Sequence, residues 1–127
     1  MSQFDNDIKT NRPENLILNM TFDFSLGVIE FCELLQERGK YAISNQLIRS
    51  GCSVGANVKE AQNAESKSDF VHKMKIAAKE AGESEYWLLL CKHSKNYPFE
   101  ESLIEKLNGI MMVLNKIIGT TKRSMKN

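Results

Sequence analysis

Apolar residues recur at spacings of three and four along most of the chain, which is the period of one face of an α-helix. Short polar segments divide the pattern into four stretches, which predict helices at about residues 14–38, 42–63, 67–95 and 99–121. Four helices joined by short turns form an antiparallel up-down-up-down four-helix bundle. We therefore expect an all-α fold in which residues 1–127 make a single domain.

Each predicted helix carries one line of apolar or small residues that should face the core. On the first two helices the lines comprise Met20, Phe24, Val28, Phe31 and Leu35, and Ile43, Leu47, Ser50, Val54, Val58 and Ala61. On the third and fourth they comprise Phe70, Met74, Ala77, Ala81, Ser84, Leu88 and Cys91, and Leu103, Leu107, Ile110, Leu114 and Ile117. The third line alternates in steps of four and three without a break, which is the heptad spacing of packed helices.

A second apolar line lies beside the first on the two terminal helices. It comprises Leu18, Phe22, Leu26 and Ile29 on the first helix, and Ile104, Met111 and Ile118 on the fourth. A helix that packs on one side only does not need both lines. Because monomers rarely expose large contiguous apolar patches, this surplus predicts that the chain associates with itself.

Turn and capping signals lie between the predicted helices. Gly39 is placed to end the first helix in the left-handed conformation, and Gly119 is expected to mark the end of the fourth. Ser66 and Asp69 have the spacing of a capping box at the start of the third helix. Pro98 disfavours helical geometry at the residue before it, which should separate the third helix from the fourth.

Two glycines, Gly51 and Gly55, fall inside the second helix, where each costs about 1 kcal/mol relative to alanine. Small residues allow two helix backbones to come together. The pair therefore predicts the close approach of a neighbouring helix.

The net charge of +1 gives no global basic field that would favour nucleic acid or a membrane surface. Three cysteines, an odd number, and a polar, acidic N-terminus that is not a signal peptide indicate a reducing cytoplasm. No apolar run approaches the roughly 20 residues that span a bilayer, so we expect no membrane partner.

Residue patterns that carry chemistry are not found. Gly51 to Lys59 lacks the spacing of a phosphate-binding loop and lies inside a predicted helix. Cys91 and His93, two residues apart, point to different helix faces and have no second pair at zinc-ligand spacing. Cys52 has no base at a recognisable spacing. We therefore expect no catalytic residue, no metal ligand and no cofactor, and predict that the protein is not an enzyme.

Five polar residues stand out on the second and third helices: Arg49, Asn57, Glu60, Glu83 and Glu85. In an antiparallel hairpin, Arg49 lies roughly level with the turn that carries Glu83 and Glu85. A partly shielded ion pair between Arg49 and one of these carboxylates would fix the register of the two helices. A contact of these residues with a ligand or RNA is the alternative.

The central part of the chain also resembles a known family. The residues concerned are Gln46-Leu47-x-Arg49-Ser50-x-x-Ser53-Val54-Gly55-Ala56-Asn57-x-x-Glu60-Ala61, then Ser66-Lys67-Ser68-Asp69-Phe70, Ile76-Ala77 and Glu83-x-Glu85-x-Trp87-Leu88. They resemble the four-helix-bundle proteins, or 23S rRNA-intervening-sequence proteins, whose namesakes are encoded within insertions in 23S rRNA genes. The resemblance implies a small bacterial cytosolic protein that assembles as a homopentameric ring. A relative of the family, the accessory protein of diversity-generating retroelements, works with a reverse transcriptase and nucleic acid.

Local cations offer candidate nucleic-acid contacts. They are Lys73, Lys75 and Lys79 on the third helix, and Lys122, Arg123 and Lys126 near the C-terminus. A mixed charged face is usually only solvated, but a strip of this kind repeated around a ring could bind phosphates. Such binding would be weak, nonspecific in sequence and sensitive to salt.

These observations support two functional hypotheses. The leading hypothesis is a non-enzymatic oligomeric scaffold or adaptor that binds a macromolecular partner. The alternative is an RNA- or DNA-binding accessory protein that acts through weak basic patches on a ring-shaped oligomer.

Overall fold

The computed structural model of the protein describes residues 15–126. Within this range the chain forms four α-helices and no strand: α1 (Asn15–Glu37), α2 (Tyr41–Ala61), α3 (Lys67–His93) and α4 (Glu101–Met125). The predicted all-α four-helix fold is confirmed. Glu14, where the first helix was predicted to begin, lies outside the described residues.

The helices pack in a closed square, because consecutive helices contact each other and α4 returns against α1. Paired residues run in opposite order along neighbouring helices. Arg49 of α2 pairs with Glu83 of α3. Further along α2, Glu60 pairs with Lys73, which comes earlier on α3. These two helices are therefore antiparallel. Gly51 and Gly55 of α2 lie beside Val28 and Thr21 of α1, again in opposite order, so α1 also runs against α2 and is parallel to α3.

The predicted core lines fill the centre of this square. Fully buried members include Phe24, Val28, Leu35, Leu47, Val54, Val58, Met74, Ala77, Ala81, Leu88, Leu107, Ile110 and Leu114. The structure adds Ile17 and Cys32, which the patterns missed, whereas Met20, Ile43, Phe70 and Ile117 are only partly buried. The helical period therefore located the core, with errors at the edges of each buried stripe.

Two of the predicted helix ends have the expected geometry. Gly39 adopts a φ of 73°, and the amide of Lys40 donates to the carbonyl oxygen of Leu35 at 2.8 Å. This bond gives a partner to a carbonyl group in the last turn of α1. Ser66 Oγ accepts from the amide of Asp69 at 3.0 Å, and Asp69 Oδ2 accepts from the amide of Glu65 at 3.3 Å. These bonds supply partners to amides that a helix start would otherwise leave without one.

The fourth helix differs from its prediction at both ends. It begins at Glu101, after Asn96 with a φ of 65° and Pro98, and it continues through Gly119 to Met125. Gly119 does not end the helix as expected, because a glycine stops a helix only where it adopts positive φ, and Gly39 is the positive-φ glycine of the described residues.

Glycines hold α1 and α2 close together, as their positions predict. A Cβ on Gly51 would lie 2.9 Å from Cγ1 of Val28, and a Cβ on Gly55 would lie 3.3 Å from Oγ1 of Thr21. Beside them, Ser44 Oγ donates to the carbonyl oxygen of Cys32 at 3.1 Å. Because neither glycine has a side chain, the two helices can approach as closely as this contact requires.

The second apolar lines of α1 and α4 differ in how far their side chains are buried. On α4, Ile104, Met111 and Ile118 are half-buried and pack against the core. On α1, Leu26 remains 49% exposed and Ile29 39% exposed. No helix within residues 15–126 combines the length and apolarity that crossing a membrane requires.

Candidate functional surfaces

The contact between α2 and α3 is built on small polar side chains. Ser50 and Ser84 are both fully buried, and their hydroxyl oxygens lie 2.9 Å apart. Ser84 Oγ also lies 2.9 Å from the carbonyl oxygen of Glu80, four residues earlier in the same helix. Because each hydroxyl has a partner, these serines bring the helices close without leaving a buried polar group unsatisfied.

At the surface edge of this contact, Arg49 lies against two carboxylates of α3. Its Nη1 is 3.1 Å from Oε2 of Glu80, and its Nη2 donates to Oε2 of Glu83. The same oxygen of Glu83 accepts a hydrogen bond from Nε1 of Trp87 at 3.1 Å. The side chain of Arg49 is half-exposed, whereas that of Glu80 is only 13% exposed. We call these four residues the Arg49 cluster.

Hydrogen bonding in the Arg49 cluster favours the charged forms of Glu83 and Arg49. The bond from Trp87, followed by the bond from Arg49, lowers the pKa of Glu83 from its usual 4.5. The bond to Glu83 in turn raises the pKa of the Arg49 guanidinium. Glu83 and Arg49 are thus held in their charged forms and are not poised to exchange a proton at neutral pH.

Glu80, and not Glu85, is the second carboxylate beside Arg49. Glu80 and Glu83 are three residues apart and share a face of α3, whereas Glu85 follows Glu83 by two residues and points about 200° around the helix. The predicted pair of Arg49 with Glu83 or Glu85 is thus formed with Glu83, and the structure adds Glu80, which the prediction did not name. Helical spacing alone could have indicated Glu80, and also Trp87, which lies one turn after Glu83.

The other two predicted polar residues have different surroundings. Nδ2 of Asn57 donates to the carbonyl oxygen of Ser53 at 2.8 Å, within its own helix. Glu60 is exposed and pairs with Lys73 of α3 at 3.7 Å. Neither residue joins the Arg49 cluster. Asn57 and Glu60 continue the polar edge of α2 beyond it toward the turn at residues 62–66.

The candidate cations do not form one uniform strip. Lys73 is engaged by Glu60, whereas Lys75 and Lys79 are exposed. In the last turns of α4, Nη2 of Arg123 lies 3.2 Å from Oγ1 of Thr120. Lys122 and Lys126 are also exposed at this end, where the negative pole of the helix favours cations. The exposed cations thus fall into two groups.

The outward side of α1 borders a groove of about 260 Å³ between α1 and α2. It is lined by Leu18, Thr21, Phe22, Ser25, Cys52, Gly55, Ala56 and Lys59. Burial raises the pKa of the half-buried Cys52 thiol, and it raises the pKa of the buried Cys32 and Cys91 thiols to about 11. Thiolates are therefore scarce at neutral pH, which leaves the nucleophilic use of Cys52 without support.

No cluster of three or more histidine, cysteine, aspartate or glutamate side chains that could hold a metal ion occurs in the part of the chain the structure describes. The structure also shows exposed residues on α3 that the sequence patterns did not select. Tyr86 is 57% exposed and packs edge-on against Trp87, with ring centroids 5.3 Å apart, and Leu89 is 39% exposed. A line at heptad spacing on the outer side of α3 could have revealed them.

Comparison with known proteins places this arrangement in a family. The profile of the 23S rRNA-intervening sequence proteins matches residues 14–116, so the chain belongs to that family, as its sequence indicated. It is also similar to the crystal structure of a protein of unknown function from the S23 ribosomal protein family of Bacteroides thetaiotaomicron. The two are 35% identical with a TM-score of 0.76, over 80% of this chain and 97% of the other. No curated protein matches the chain.

Proposed function

We propose that this protein is a non-enzymatic scaffold or adaptor that assembles with copies of itself and binds a macromolecular partner. The exposed apolar line on α1, represented by Leu26 and Ile29, carries this proposal. Removing apolar surface from water is worth roughly 25 cal/mol per Å², so contiguous exposed leucine and isoleucine favour association.

The polar groups support a structural rather than a chemical role. Arg49 pairs with both Glu80 and Glu83, and Ser50 and Ser84 hydrogen-bond to each other inside the bundle. Each group therefore has a use in holding α2 against α3. Fixing the register of two helices is a recognised use of a shielded ion pair.

The number of copies and the compartment rest on other grounds. A ring of five is the assembly that the family resemblance implies. A cytoplasmic location is supported by the thiols of Cys32, Cys52 and Cys91, all of which are free.

Sedimentation equilibrium of the full chain at micromolar concentration tests the assembly. We expect a single species several times the 14.5 kDa mass of one chain. A monomer would overturn the proposed scaffold, whereas an oligomer of another size would overturn only the number five. Met112→Asp should keep the mass of the unmodified assembly, because Met112 is 74% exposed but lies on α4 and not on the exposed apolar line of α1.

The partner is tested by affinity capture of the native protein with both RNA sequencing and protein identification. Captured samples are divided and one half is treated with nuclease. A protein that remains bound after nuclease treatment supports the adaptor. Recovery of RNA alone would favour the second candidate function.

That second function is nucleic-acid binding, which the exposed Lys75 and Lys79 on α3 and the cations at the end of α4 favour. Phosphate contacts release counterions, so the affinity should fall steeply between low and physiological salt. Replacing Lys75 and Lys122 by glutamine should weaken binding about equally for all sequences and reduce its salt dependence. Lys106→Gln is the control, since Lys106 pairs with Asp23 at 3.0 Å. Tight, salt-resistant binding to one RNA would contradict the hypothesis that binding depends on weak phosphate contacts. Absence of binding even at low salt would contradict a nucleic-acid-binding function altogether.

A further inference from the structure

We propose that copies of this chain associate head to tail, with the outward line of α1 in one copy packed against the outward line of α3 in the next. This inference rests on the proposed self-assembly and adds the two surfaces that meet. The α1 line comprises Asp23, Leu26, Glu30, Glu33 and Glu37. The α3 line comprises Lys79, Gly82, Tyr86, Leu89 and His93.

Both lines have the same spacing along their helices. Each advances in steps of three, four, three and four, which is the spacing of the contact line between two packed helices. All members are exposed except Gly82, which is half-buried. Inside one copy the lines lie on α1 and α3, which are diagonal in the bundle, so they cannot meet within a single chain.

The heights of the two lines along the bundle also correspond. A Cβ on Gly51 would meet Val28 of α1, and the neighbouring Ser50 bonds to Ser84 of α3, so Val28 and Ser84 lie at about the same height. Parallel helices rise by the same distance per residue. Residues that are equally far along the chain from Val28 and from Ser84 therefore lie at the same height. In two copies that stand side by side, Asp23 then lies level with Lys79, and each later member of the α1 line lies level with its counterpart on α3.

One matched pair is complementary in charge, since Asp23 lies level with Lys79. Glu30 and Glu37 lie level with the hydrogen-bonding groups of Tyr86 and His93, whereas Glu33 lies level with Leu89. Every charged residue of α1 is acidic, and these are Asp23, Glu30, Glu33 and Glu37. The α3 line offers only donors and apolar groups: the ammonium of Lys79, the hydroxyl of Tyr86 and the ring of His93, with Leu89 between them. Asp23 already accepts from Lys106 at 3.0 Å, and its second oxygen is available to Lys79. Of the carboxylates near the α3 line, Glu80 and Glu83 hold Arg49. Glu85 is half-buried and lies about 40° around the helix from Leu89, at the edge of the α3 line.

The matched residues are also complementary in shape. Gly82 lies inside α3, where a glycine costs about 1 kcal/mol relative to alanine. Apart from the backbone of its own helix and its two chain neighbours, no atom lies within 4 Å of the place a Cβ would occupy, so packing against other parts of the chain does not explain this glycine. Leu26 stands at the matching height on α1. The gap beside Tyr86 therefore fits the leucine of a second copy.

An interface between two different surfaces has a testable consequence. Each copy carries one α1 line and one α3 line, so a defect in either line stops assembly, and two different defects complement each other at one junction. The experiment uses the full-length variants Leu26→Asp and Tyr86→Asp, alone and in an equimolar mixture, measured by sedimentation velocity. Circular dichroism verifies that both keep the helical content of the parent, as their exposure allows.

We expect each variant alone to be a monomer, and the mixture to give a dimer of twice the 14.5 kDa mass of one chain. The dimer forms because the α3 line is intact in Leu26→Asp and the α1 line is intact in Tyr86→Asp. A mixture that stays monomeric, or a single variant that keeps the parent mass, would overturn the head-to-tail contact. Dissociation by Met112→Asp would also overturn it, because Met112 belongs to neither line. If the unmodified protein is itself a monomer, the proposed scaffold fails instead, so the two failures are distinguishable.

Discussion

The α2–α3 contact and the second apolar line of α1 both reverse the usual distribution of polarity in a folded domain. In the first, Ser50 and Ser84 are fully buried, and in the second, Leu26 and Ile29 are exposed. The buried serines are satisfied within the chain by each other and by the carbonyl oxygen of Glu80. The exposed aliphatic side chains have no comparable compensation in solvent.

The difference shows how a structure separates a local device from a surface for association. A buried polar group is costly only when it lacks a partner, so a satisfied pair can lie inside a stable core. Exposed apolar side chains raise the free energy of every monomer, and burial against another surface lowers it. The first reversal therefore explains how the bundle holds together, and the second indicates a surface through which it would bind.

The largest expected effect distinguishes the two second apolar lines. Ile118→Asp on α4 should destabilise the bundle by roughly 1.5–3 kcal/mol. The half-buried isoleucine loses part of the value of full burial, and the new carboxylate is placed against the core. Leu26→Asp on α1 likewise replaces an aliphatic residue by aspartate, but at an exposed position of the proposed contact. It should dissociate the assembly and leave the stability of the monomer nearly unchanged. Urea unfolding and sedimentation velocity of both variants measure this contrast, and equal loss of monomer stability would contradict it.

The buried hydroxyl pair should give the next largest effect. Ser84→Ala leaves the hydroxyl of Ser50 buried without its partner, which should cost about 1–3 kcal/mol. Replacing Ser50 by alanine as well removes the unsatisfied group, and the double variant should recover part of the loss. Urea unfolding of both single variants and the double variant measures the coupling. Strictly additive losses would show that the two hydroxyls act independently.

Gly82→Ala should stabilise the isolated monomer by about 0.5–1 kcal/mol, because alanine is the better helix former and the Cβ has open space inside the chain. The same methyl group would occupy the gap proposed to receive Leu26, so the variant should associate more weakly. Unfolding and sedimentation are measured on one sample. Unchanged association would argue against Gly82 as part of the contact. Gly51→Ala serves as the control and should instead destabilise the monomer, since its Cβ would lie 2.9 Å from Val28.

The smallest effect concerns the pH dependence of the Arg49 cluster. Folding lowers the pKa of Glu83, so the native state favours its charged form. This contribution to stability is present above the pKa of the unfolded chain, which is near 4.5, and it is lost as the pH falls through the lower folded pKa. The stability difference between the parent and Glu83→Gln should therefore shrink on acidification below pH 4.5. Glu85→Gln serves as the control, and a difference that does not depend on pH would contradict the assignment.

Sequence patterns located much of the bundle but less of its surface chemistry. Heptad spacing placed Met74, Ala81 and Leu88 in the core, because burial in a helix repeats with the helix itself. Gly39 and Ser66 marked helix ends because their effect is local. Gly119 misled the prediction, since a glycine ends a helix only where the backbone turns left-handed, and α4 stays helical through this position.

The sequence by itself determined that the chain forms four helices, where their buried faces lie and which family the protein belongs to. These properties arise from the period of the apolar residues and from local backbone preferences. Tertiary structure alone decided that Arg49 meets Glu80 as well as Glu83. It also decided that the second line of α4 packs half-buried against the core, while Leu26 and Ile29 of α1 stay exposed. The physical reason is that a helical pattern fixes the angle of a side chain around its own axis, whereas its neighbours depend on how the helices pack.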